Sequence, residues 1–391
     1  MYTPPRFKQA LPIASLLGSG ALAALLTACG GGGMNSGAMV TSMGCNGMAN
    51  GMMGCPATAV TVASPGATVN RTVKLTASVS AGMGTMVMSV DFMVDGAVVG
   101  MATRAPYTVS WDSATVADGP HTLRATATDN MDMTATSAAV TVQVDNHPAF
   151  MVPMAPAQLF PAPTSKASGS ATLSANLHTG ALGGKVLLSD VTAAAVSINE
   201  AFAGANGPGL IGLTANDTSA GEWDVPAGAI LTADQVNALM QGKLYLLATS
   251  AANASGELRG QIIPTNITVV FADMAGSQEV PPVSMAASGV AAVTVDSMAN
   301  TLTVHTNSTG VSDAMTAEVA TAMAGTMGPQ LVALTRDSVN MGHWSVELAA
   351  IQPGDLSNFQ ADKWYVNIAT PADPGGAIRG QINASSMMPA Q

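Results

Sequence analysis

From about Val60 onward, the chain alternates apolar and polar residues with a period of two. Within residues 72–80, positions 73, 75, 77 and 79 are apolar, and Thr, Lys and Ser stand between them. A period of two places alternate side chains on one face of a strand, so the pattern predicts half-buried β-strands. The alternation recurs in Val90/Phe92/Val94, Tyr107/Val109/Trp111, Leu123/Ala125/Ala127 and Val140/Val142/Val144. Turn signals at Asp95-Gly96 and Asp118-Gly119-Pro120 separate these runs, and we predict one β-sandwich domain over residues 58–146.

The remaining chain contains an internal repeat with an offset of 120 residues. Arg259-Gly260-Gln261-Ile262 returns as Arg379-Gly380-Gln381-Ile382, and both halves show the period-two pattern. We predict two copies of one β domain, at residues 155–264 and 266–384. The expected fold class is therefore all-β, with three tandem β-sandwich or immunoglobulin-like domains.

Each copy also contains one short helical insert. Thr232 is followed three residues later by Gln235, which predicts a capping box at the start of the first helix. In the second copy, Pro353 falls at the first helical position, where a missing N–H group is tolerated.

The composition limits the classes of protein that the chain can form. Only 9% of the residues are charged and 48% are hydrophobic, which excludes disorder over the whole length. The 24 Asp and Glu residues outnumber the 13 Lys and Arg residues, and the net charge is −11 at pH 7. Neutralising phosphates needs clustered positive charge, so a nucleic-acid-binding protein is excluded. The same charge disfavours anionic polymers as partners.

The N-terminal segment has the features of a secretory signal. Arg6 and Lys8 precede an apolar stretch over residues 11–28. A positive region followed by a short apolar core is typical of a signal peptide, which we predict over residues 1–28. The alternative, a transmembrane helix, is disfavoured because two glycines interrupt the stretch and its length is marginal for crossing a bilayer.

The end of this segment resembles the bacterial lipobox. The residues are Leu26-Thr27-Ala28-Cys29, and Gly30 follows them. The resemblance implies cleavage before Cys29, a lipid on that cysteine and an exported lipoprotein in the cell envelope. Gly30 rather than Asp after the cysteine implies sorting to the outer membrane.

Residues 29–57 are rich in Gly, Asn, Ser and Met, and we predict a flexible tether. Cys45 and Cys55 lie within it, and a disulfide between them is the simplest expectation in an oxidising compartment. The alternative is a soft-metal site, since thioethers and thiolates together select Cu(I). Its candidate ligands are Met34, Met39, Met43, Cys45, Met48, Met52, Met53 and Cys55.

The domain at residues 58–146 resembles a bacterial immunoglobulin-like domain of the kind found in surface proteins. The resemblance rests on Val94-Asp95-Gly96, Ala105-Pro106-Tyr107, Val109-Ser110-Trp111-Asp112 and Asp118-Gly119-Pro120-His121. The resemblance implies an immunoglobulin-like fold but does not identify a ligand.

The two repeated domains resemble the CHRD domain, which was first described in the animal growth-factor antagonist chordin. The second copy shows Gln278-Glu279-Val280-Pro281-Pro282, Gly325-Thr326-Met327-Gly328-Pro329, Trp364-Tyr365-Val366-Asn367 and Gly376-Ala377-Ile378-Arg379-Gly380-Gln381. The first copy shows Gly204-Ala205-Asn206-Gly207-Pro208, Leu244-Tyr245 and Gly256-Glu257-Leu258-Arg259-Gly260-Gln261. The resemblance implies an immunoglobulin-like barrel or sandwich.

Many members of that family carry a His-x-His pair before the Gly-rich turn and a further histidine after the Tyr-Val-Asn strand. Three such residues would make a reasonable transition-metal site. This chain departs from the pattern at all six positions, which hold Ser197, Asn199, Thr249, Glu318, Ala320 and Ala369. We therefore predict that neither copy binds a metal through these positions. The histidines that are present do not cluster in sequence, and we predict solvated or capping roles for His121, His147, His178, His305 and His343.

Arg259 and Arg379 are the most prominent charged candidates for a binding role. Each lies in a Gly-x-[Leu/Ile]-Arg-Gly-Gln segment near the end of its domain. A guanidinium group presents a planar set of donors that suits a carboxylate or sulfate ligand. We favour the structural alternative, in which each arginine lies on a closing strand and pairs with a neighbouring carboxylate.

No motif predicts catalysis. The sequence has no Gly-x-Ser-x-Gly elbow, no His-Glu-x-x-His helix and no Gly-rich phosphate loop. A carboxylate pair such as Glu200 with Glu222 stays open, because sequence does not reveal pairing in space. We expect no enzyme activity and no cofactor.

The expected function is that of a lipid-anchored cell-envelope protein with a binding or structural role of the adhesion type. Its expected partners are the membrane, through Cys29, and an envelope or extracellular protein or polysaccharide. Two alternatives stay open: a lipoprotein that handles copper or another soft metal through its tether, and a cryptic envelope enzyme.

Overall fold

A computed structural model describes residues 58–81 and 85–387. The predicted signal peptide, the tether, Cys29, Cys45, Cys55 and the tether methionines lie outside these residues. The described chain consists mainly of antiparallel strands, and the all-β fold class is confirmed.

The first domain forms two sheets from short strands. Its strands are β1 (Ala59–Val62), β2 (Thr68–Val69), β3 (Thr72–Ser80), β4 (Val87–Val94), β5 (Ala97–Ala102), β6 (Tyr107–Asp112), β7 (Gly119–Asp129), β8 (Thr134–Thr136) and β9 (Val140–Val144). One sheet has the order β1-β3-β6, and the other has the order β2-β9-β7-β4-β5 with β8 beside β7.

The core of this domain is formed by apolar residues that the period-two pattern predicted to face inward. Phe92, Trp111 and Leu123 are all buried between the sheets. The turn at Asp95-Gly96 joins β4 to β5, and both residues have positive φ angles, of 48° and 85°. A two-residue hairpin turn of this kind needs positive φ at both positions, which Asp and Gly tolerate.

The first repeated domain, called repeat 1 below, has two sheets. Its strands are β10 (Ala149–Met154), β11 (Ser168–Ala175), β12 (Leu182–Ser189), β13 (Ala193–Glu200), β14 (Gly209–Gly212), β15 (Thr214–Ala215), β16 (Glu222–Asp224), β17 (Leu244–Ser250) and β18 (Leu258–Gln261). The sheet orders are β10-β11-β12-β16-β15 and β14-β13-β17-β18. The first sheet thus includes β10, which precedes the predicted boundary at residue 155. An isolated bridge between Ala155 and Arg259 connects the two sheets.

The second repeated domain, called repeat 2 below, closes into a barrel. Its strands are β19 (Ile267–Ala275), β20 (Ser288–Asp296), β21 (Thr301–Thr309), β22 (Thr316–Thr321), β23 (Gln330–Arg336), β24 (His343–Ala350), β25 (Trp364–Ala369) and β26 (Ile378–Ile382). The barrel order is β19-β20-β21-β24-β23-β22-β25-β26. The barrel closes because β23 runs without a break and pairs with both β22 and β24, and because Ala275 of β19 pairs with Arg379 of β26. In repeat 1 the equivalent strand is divided into β14, which pairs with β13, and β15, which pairs with β16.

Each repeat carries its predicted helical insert, α1 (Ala233–Met240) or α2 (Pro353–Gln360). The backbone N–H of Gln235 donates to the Thr232 hydroxyl at 3.2 Å, and the N–H of Thr232 donates to Gln235 Oε1 at 2.9 Å. The predicted capping box is therefore present. Single 3-10 turns span Ser113–Thr115, Pro156–Gln158, Gly276–Gln278 and Ala384–Met387. Over residues 58–81 and 85–387, no helix is both long and apolar enough to span a bilayer.

Candidate functional site

In repeat 1, Arg259 ties the closing strand to the Gly-rich loop that follows β13. Its side chain is buried, and its guanidinium carbon lies 3.7 Å from the centre of the Tyr245 ring. The guanidinium donates to the carbonyl oxygens of Ala205 at 2.5 Å and Phe202 at 2.8 Å, and to Gln261 Oε1 at 2.9 Å. Burial lowers the pKa of Arg259 to about 10, so the group stays charged at neutral pH.

Repeat 2 contains the same arrangement around Arg379. The guanidinium carbon lies 3.5 Å from the centre of the Tyr365 ring. The group donates to the carbonyl oxygens of Thr326 at 2.7 Å and Met323 at 3.2 Å, and to Gln381 Oε1 at 2.9 Å. Each arginine lies on the closing strand as predicted, but its hydrogen-bond acceptors are loop carbonyls and an amide and not a carboxylate. For Arg379, the charge of Glu279 acts without a hydrogen bond between the two groups. Both guanidinium groups point into the protein, where they hold the loop in place.

The two repeats differ in a buried acid close to these arginines. In repeat 1 the acid is Glu257, whose carboxylate accepts hydrogen bonds from Ser165, from Ser250 Oγ at 2.7 Å and from Asn253 Nδ2 at 2.6 Å. These hydrogen bonds lower the pKa of Glu257. Repeat 1 therefore holds a charged and fully partnered carboxylate.

In repeat 2 the buried acid is Glu279, which follows the 3-10 turn after β19. Glu279 is 7% exposed, and its Oε1 atom has no hydrogen-bond partner. Burial raises the pKa of Glu279 to about 7, Arg379 acts in the opposite direction and Asp373 adds to the rise. The acid also lines a cleft of about 350 Å³ beside Arg379. This unpartnered acid is the chemically unusual group of repeat 2, and the sequence motif around it gave no signal of that.

A pair of histidines lies between the two repeats. His305 is 3% exposed, and its Nδ1 atom is 3.1 Å from His343 Nε2. Its ring stacks between that of His343, at 5.3 Å, and that of Phe202 from repeat 1, at 6.5 Å. Its Nε2 atom is 3.5 Å from Glu347, whose carboxylate is also 3.6 Å from Lys243 of repeat 1. The prediction of solvated or capping roles was wrong for His305, which is buried in a junction.

Burial lowers the pKa of His305 to about 4, and the electrostatic influence of His343, Arg259 and Lys243 acts in the same direction. The ring is therefore neutral at physiological pH. By contrast, His121 of the first domain and His147 directly after it pair with aspartates, with Nδ1 atoms at 2.6 Å from Asp95 and 2.7 Å from Asp118.

The junction between the repeats also has an apolar part. Ala203 of repeat 1 packs in one buried cluster with Ile267, Val269 and Ala292 of repeat 2. Beside this cluster, Asn307 Nδ2 donates to the carbonyl oxygen of Gly204 at 3.0 Å. The repeats are thus joined by packed side chains and a hydrogen bond in addition to the connecting chain.

The carboxylates that the sequence left open as a catalytic pair lie in different sheets. Glu200 ends β13, whereas Glu222 begins β16. Lys185 Nζ lies 3.3 Å from the Glu222 carboxylate, and Asn216 Nδ2 donates to it at 3.4 Å. Glu222 is thus held in an ion pair with Lys185.

Comparison with known protein families identifies the repeats. The model of the CHRD domain matches residues 150–262 and 270–382, which together make up more than half of the chain. The chain belongs to the CHRD domain family. A model described as a bacterial Ig domain matches residues 56–125, so the predicted order of one Ig-like domain and two CHRD domains is confirmed. Ig-like and CHRD domains are non-catalytic kinds of domain.

Two solved structures are similar to parts of the chain. Fibronectin(III)-like modules of Clostridium thermocellum CbhA are 29% identical over 22% of this chain and 92% of their own, with a TM-score of 0.18. A tetra-tandem repeat from the extending region of a large adhesion protein is 13% identical over 84% of this chain and 100% of its own, with a TM-score of 0.20. No curated protein matches the chain.

The positions at which the resemblance to CHRD domains led us to look for histidines hold other side chains. The Ser197 hydroxyl donates to Asn199 Oδ1 at 2.6 Å, and Asn199 Nδ2 donates to the carbonyl oxygen of Gly207 at 3.2 Å. These polar groups are used within repeat 1 to hold the Gly-rich loop. Among the described residues, no group of three or more His, Cys, Asp or Glu side chains has metal-binding spacing.

Exposed methionines are spread over the Ig-like domain and both CHRD domains. They are Met86, Met88, Met101, Met131, Met133, Met151, Met298, Met315, Met323, Met327 and Met341. Surface methionine is therefore a general property of this protein and not a feature of the tether alone.

Proposed function

We propose that the protein is an exported cell-envelope protein of the adhesion type, anchored by a lipid on Cys29. The observation that carries the proposal is the order of elements: a lipobox-like leader and a Gly-rich tether precede an Ig-like domain and two CHRD domains. In this arrangement the tether and the Ig-like domain hold the CHRD pair away from the membrane. The protein works by binding, without covalent chemistry.

The contact surfaces in this proposal are strand edges and loop ends. Arg259 and Arg379 are occupied by loop carbonyls, which leaves them unable to capture a ligand by charge. One free edge is β5, the last strand of its sheet, where Val98 and Met101 are 61% and 59% exposed. A surface with few charges recognises its partner by hydrogen bonds and small apolar patches. The partner is a protein or polysaccharide of the envelope or its surroundings.

The copper-handling alternative has less support. That alternative rests on the high proportion of methionine around Cys45 and Cys55. Exposed methionines also occur throughout the described domains. A Cu(I) titration of the reduced protein, with and without residues 34–55, distinguishes the two. Binding that disappears on deletion would favour copper handling, and an absence of binding would remove it.

Cell fractionation of a Cys29→Ser variant tests the anchor. We expect wild-type protein in the membrane fraction and the variant in the soluble or unprocessed fraction, because the thiol that carries the lipid is gone. Cys45→Ser is the matched control and is expected to stay in the membrane fraction. Equal membrane association of wild type and Cys29→Ser would contradict the proposal.

Capture experiments with the full chain test the binding role. The immobilised protein is exposed separately to envelope polysaccharides and to envelope proteins. A saturable partner that is competed by soluble CHRD pair supports the proposal. Failure to retain any component of either class, with the protein shown to be folded, would contradict it.

A further inference from the structure

The two CHRD domains place different side chains against the same glycine. In repeat 1, a Cβ built on Gly256 would lie 2.8 Å from Leu159 Cδ2 and 3.2 Å from Leu247 Cδ1. Gly256 therefore sits under a packed pair of leucines. The fold needs no polar group at this place.

In repeat 2 the same two positions hold Glu279 and Asn367, and the glycine is Gly376. A Cβ built on Gly376 would lie within 2.6 Å of both carboxylate oxygens of Glu279 and of Asn367 Oδ1. Both carboxylate oxygens of Glu279 and Asn367 Oδ1 therefore pack against the face of Gly376 that carries no side chain. Their mutual distances are within the reach of one calcium ion, whose oxygen ligands lie at about 2.3–2.6 Å from it.

Two of these oxygens have no hydrogen-bond donor. Glu279 Oε1 and Asn367 Oδ1 are buried atoms without a hydrogen-bond partner, and each residue is 7% exposed. The Asn367 amide nitrogen is used elsewhere, since it donates to the carbonyl oxygen of Gly375 at 3.1 Å. Burying acceptors without donors is unfavourable, so the site calls for a positively charged or proton-donating occupant.

Repeat 1 supplies the contrast of a buried acid that needs no such occupant. Its Glu257 accepts hydrogen bonds from three side chains, and the positions of those donors hold different residues in repeat 2. The replacements are Met285, Thr370 and Asp373. Repeat 2 has therefore gained an acid at Glu279 and an extra carboxylate at Asp373 without gaining donors to satisfy them.

The charges around the pair favour a cation over a single proton. The carboxylate of Asp373 acts on Glu279, and Glu318 lies opposite Asn367 on the neighbouring strand. Arg379 is the positive group that acts on Glu279, but its donors are directed at carbonyl oxygens and Gln381. A divalent cation would offset the negative charges of Glu279 and Asp373 together, whereas a proton would neutralise Glu279 alone. Glu279 also lines a cleft of about 350 Å³, which connects one side of this residue to solvent.

We propose that repeat 2 binds Ca²⁺ at Glu279 and Asn367, with Asp373 contributing negative charge at the rim. Calcium accepts irregular sets of carboxylate, amide, carbonyl and water oxygens, whereas Mg²⁺ demands a near-ideal octahedron. The expected Kd is about 10⁻⁴ to 10⁻³ M, as in other extracellular modules. Repeat 1, with Leu159 and Leu247, does not bind the ion. The proposal does not depend on lipid anchoring or on the partner of the protein.

Thermal unfolding of the full chain, with CaCl₂, MgCl₂ or chelator, tests the proposal. We expect millimolar Ca²⁺ to raise the Tm of the wild type, since a ligand that binds only the folded state stabilises it. The double variant Glu279→Leu/Asn367→Leu carries the residues of repeat 1 and is expected to fold without responding to Ca²⁺. Glu257→Gln, which changes the buried acid of repeat 1, is the control and should keep the full response.

A direct binding measurement covers the case in which the double variant does not fold. Equilibrium dialysis with ⁴⁵Ca²⁺ should give one site per chain in the wild type and none in Glu279→Gln.

Three results would overturn the proposal. One is a wild-type Tm that does not change in millimolar Ca²⁺. If lowering the pH raises the stability of repeat 2 instead, the occupant is a proton, which also contradicts the proposal. Another is an equal response to Mg²⁺, which would indicate general charge screening. The third is retention of Ca²⁺ binding by both Glu279 variants.

Discussion

The guanidinium group of Arg259 stacks on the ring of Tyr245 at 3.7 Å and donates from that position to the carbonyl oxygen of Phe202 at 2.8 Å. Arg379 and Tyr365 form the equivalent stack in repeat 2 at 3.5 Å. The ring fixes the plane of the guanidinium group, and the loop carbonyls then have donors that water cannot supply inside the domain. The relationship makes the arginine a structural tie between β18 and a loop more than fifty residues earlier in the chain.

Replacing Arg259 with Met should destabilise repeat 1 by about 2–4 kcal/mol, because two buried carbonyl oxygens and Gln261 lose their donor. Calorimetric unfolding of the full chain should show this as a lower Tm for one transition. Arg104→Met, at an exposed position, is the control and should change stability by no more than about 0.5 kcal/mol. Equal effects of the two variants would mean that the stack has no structural role.

The glycines at the two Gly-rich loops allow a matched test of the junction between the repeats. Gly204 and Gly325 both have positive φ angles, of 85° and 77°. A Cβ on Gly204 would lie 2.8 Å from the Cβ atoms of Ala292 and His305, whereas a Cβ on Gly325 would meet nothing within 4 Å. Both Ala variants carry the same backbone strain, but only Gly204→Ala forces atoms together at the junction.

We therefore expect Gly204→Ala to destabilise the protein by about 1–3 kcal/mol more than Gly325→Ala. Urea denaturation of both variants measures the difference. Limited proteolysis should also cut the segment between the repeats faster in Gly204→Ala. Equal stabilities of the two variants would show that the junction accommodates the added methyl group without a clash.

The helix cap of α1 can be tested by a conservative pair of variants. Thr232→Ala removes the hydroxyl that accepts the Gln235 N–H and should lower stability by about 1 kcal/mol. Thr232→Ser keeps the hydroxyl and should stay close to the wild type. Both effects are read from the Tm of the transition assigned to repeat 1. A loss in Thr232→Ser as large as that in Thr232→Ala would point to packing of the methyl group instead.

Features that depend on neighbours in sequence were predictable. The hairpin turn at Asp95-Gly96 and the cap at Thr232 each rest on residues a few positions apart, and the structure has both. The partner of Arg259 was not predictable in this way, since it lies 57 residues earlier and is a backbone carbonyl, which carries no residue-type signal.

The histidine pair was missed for a related reason. His305 and His343 are 38 residues apart, and pairing of β21 with β24 brings them together, with Asn307 opposite His343. His305 lies two residues before Asn307 on β21, so its side chain points to the same face of the sheet as that of Asn307. Period-two patterning gives the face of each residue, but it gives neither the partner strand nor the register. His305 is buried by contacts with repeat 1. The sequence pattern of repeat 2 alone therefore does not predict this burial.

The buried histidine gives the stability of the junction a pH dependence whose sign is set by its pKa. The pKa of His305 is lowered from 6.5 to about 4, so the unfolded state binds the proton more tightly. The stabilising effect of the neutral, stacked ring is present above pH 6.5 and is lost as the pH falls towards 4. The charged groups around the ring are Glu347, which favours the proton, and His343, Lys243 and Arg259, which oppose it.

We expect wild type to lose stability relative to His305→Gln between about pH 6.5 and pH 4, because Glu279, whose raised pKa acts in the opposite direction, contributes equally to both proteins. Chemical denaturation at a series of pH values with chelator present measures both curves. His178→Gln removes an exposed histidine and should follow the wild-type curve. If His305→Gln and wild type run parallel across the window, His305 is protonated in the folded junction and the stacking between Phe202 and His343 does not exclude the charge.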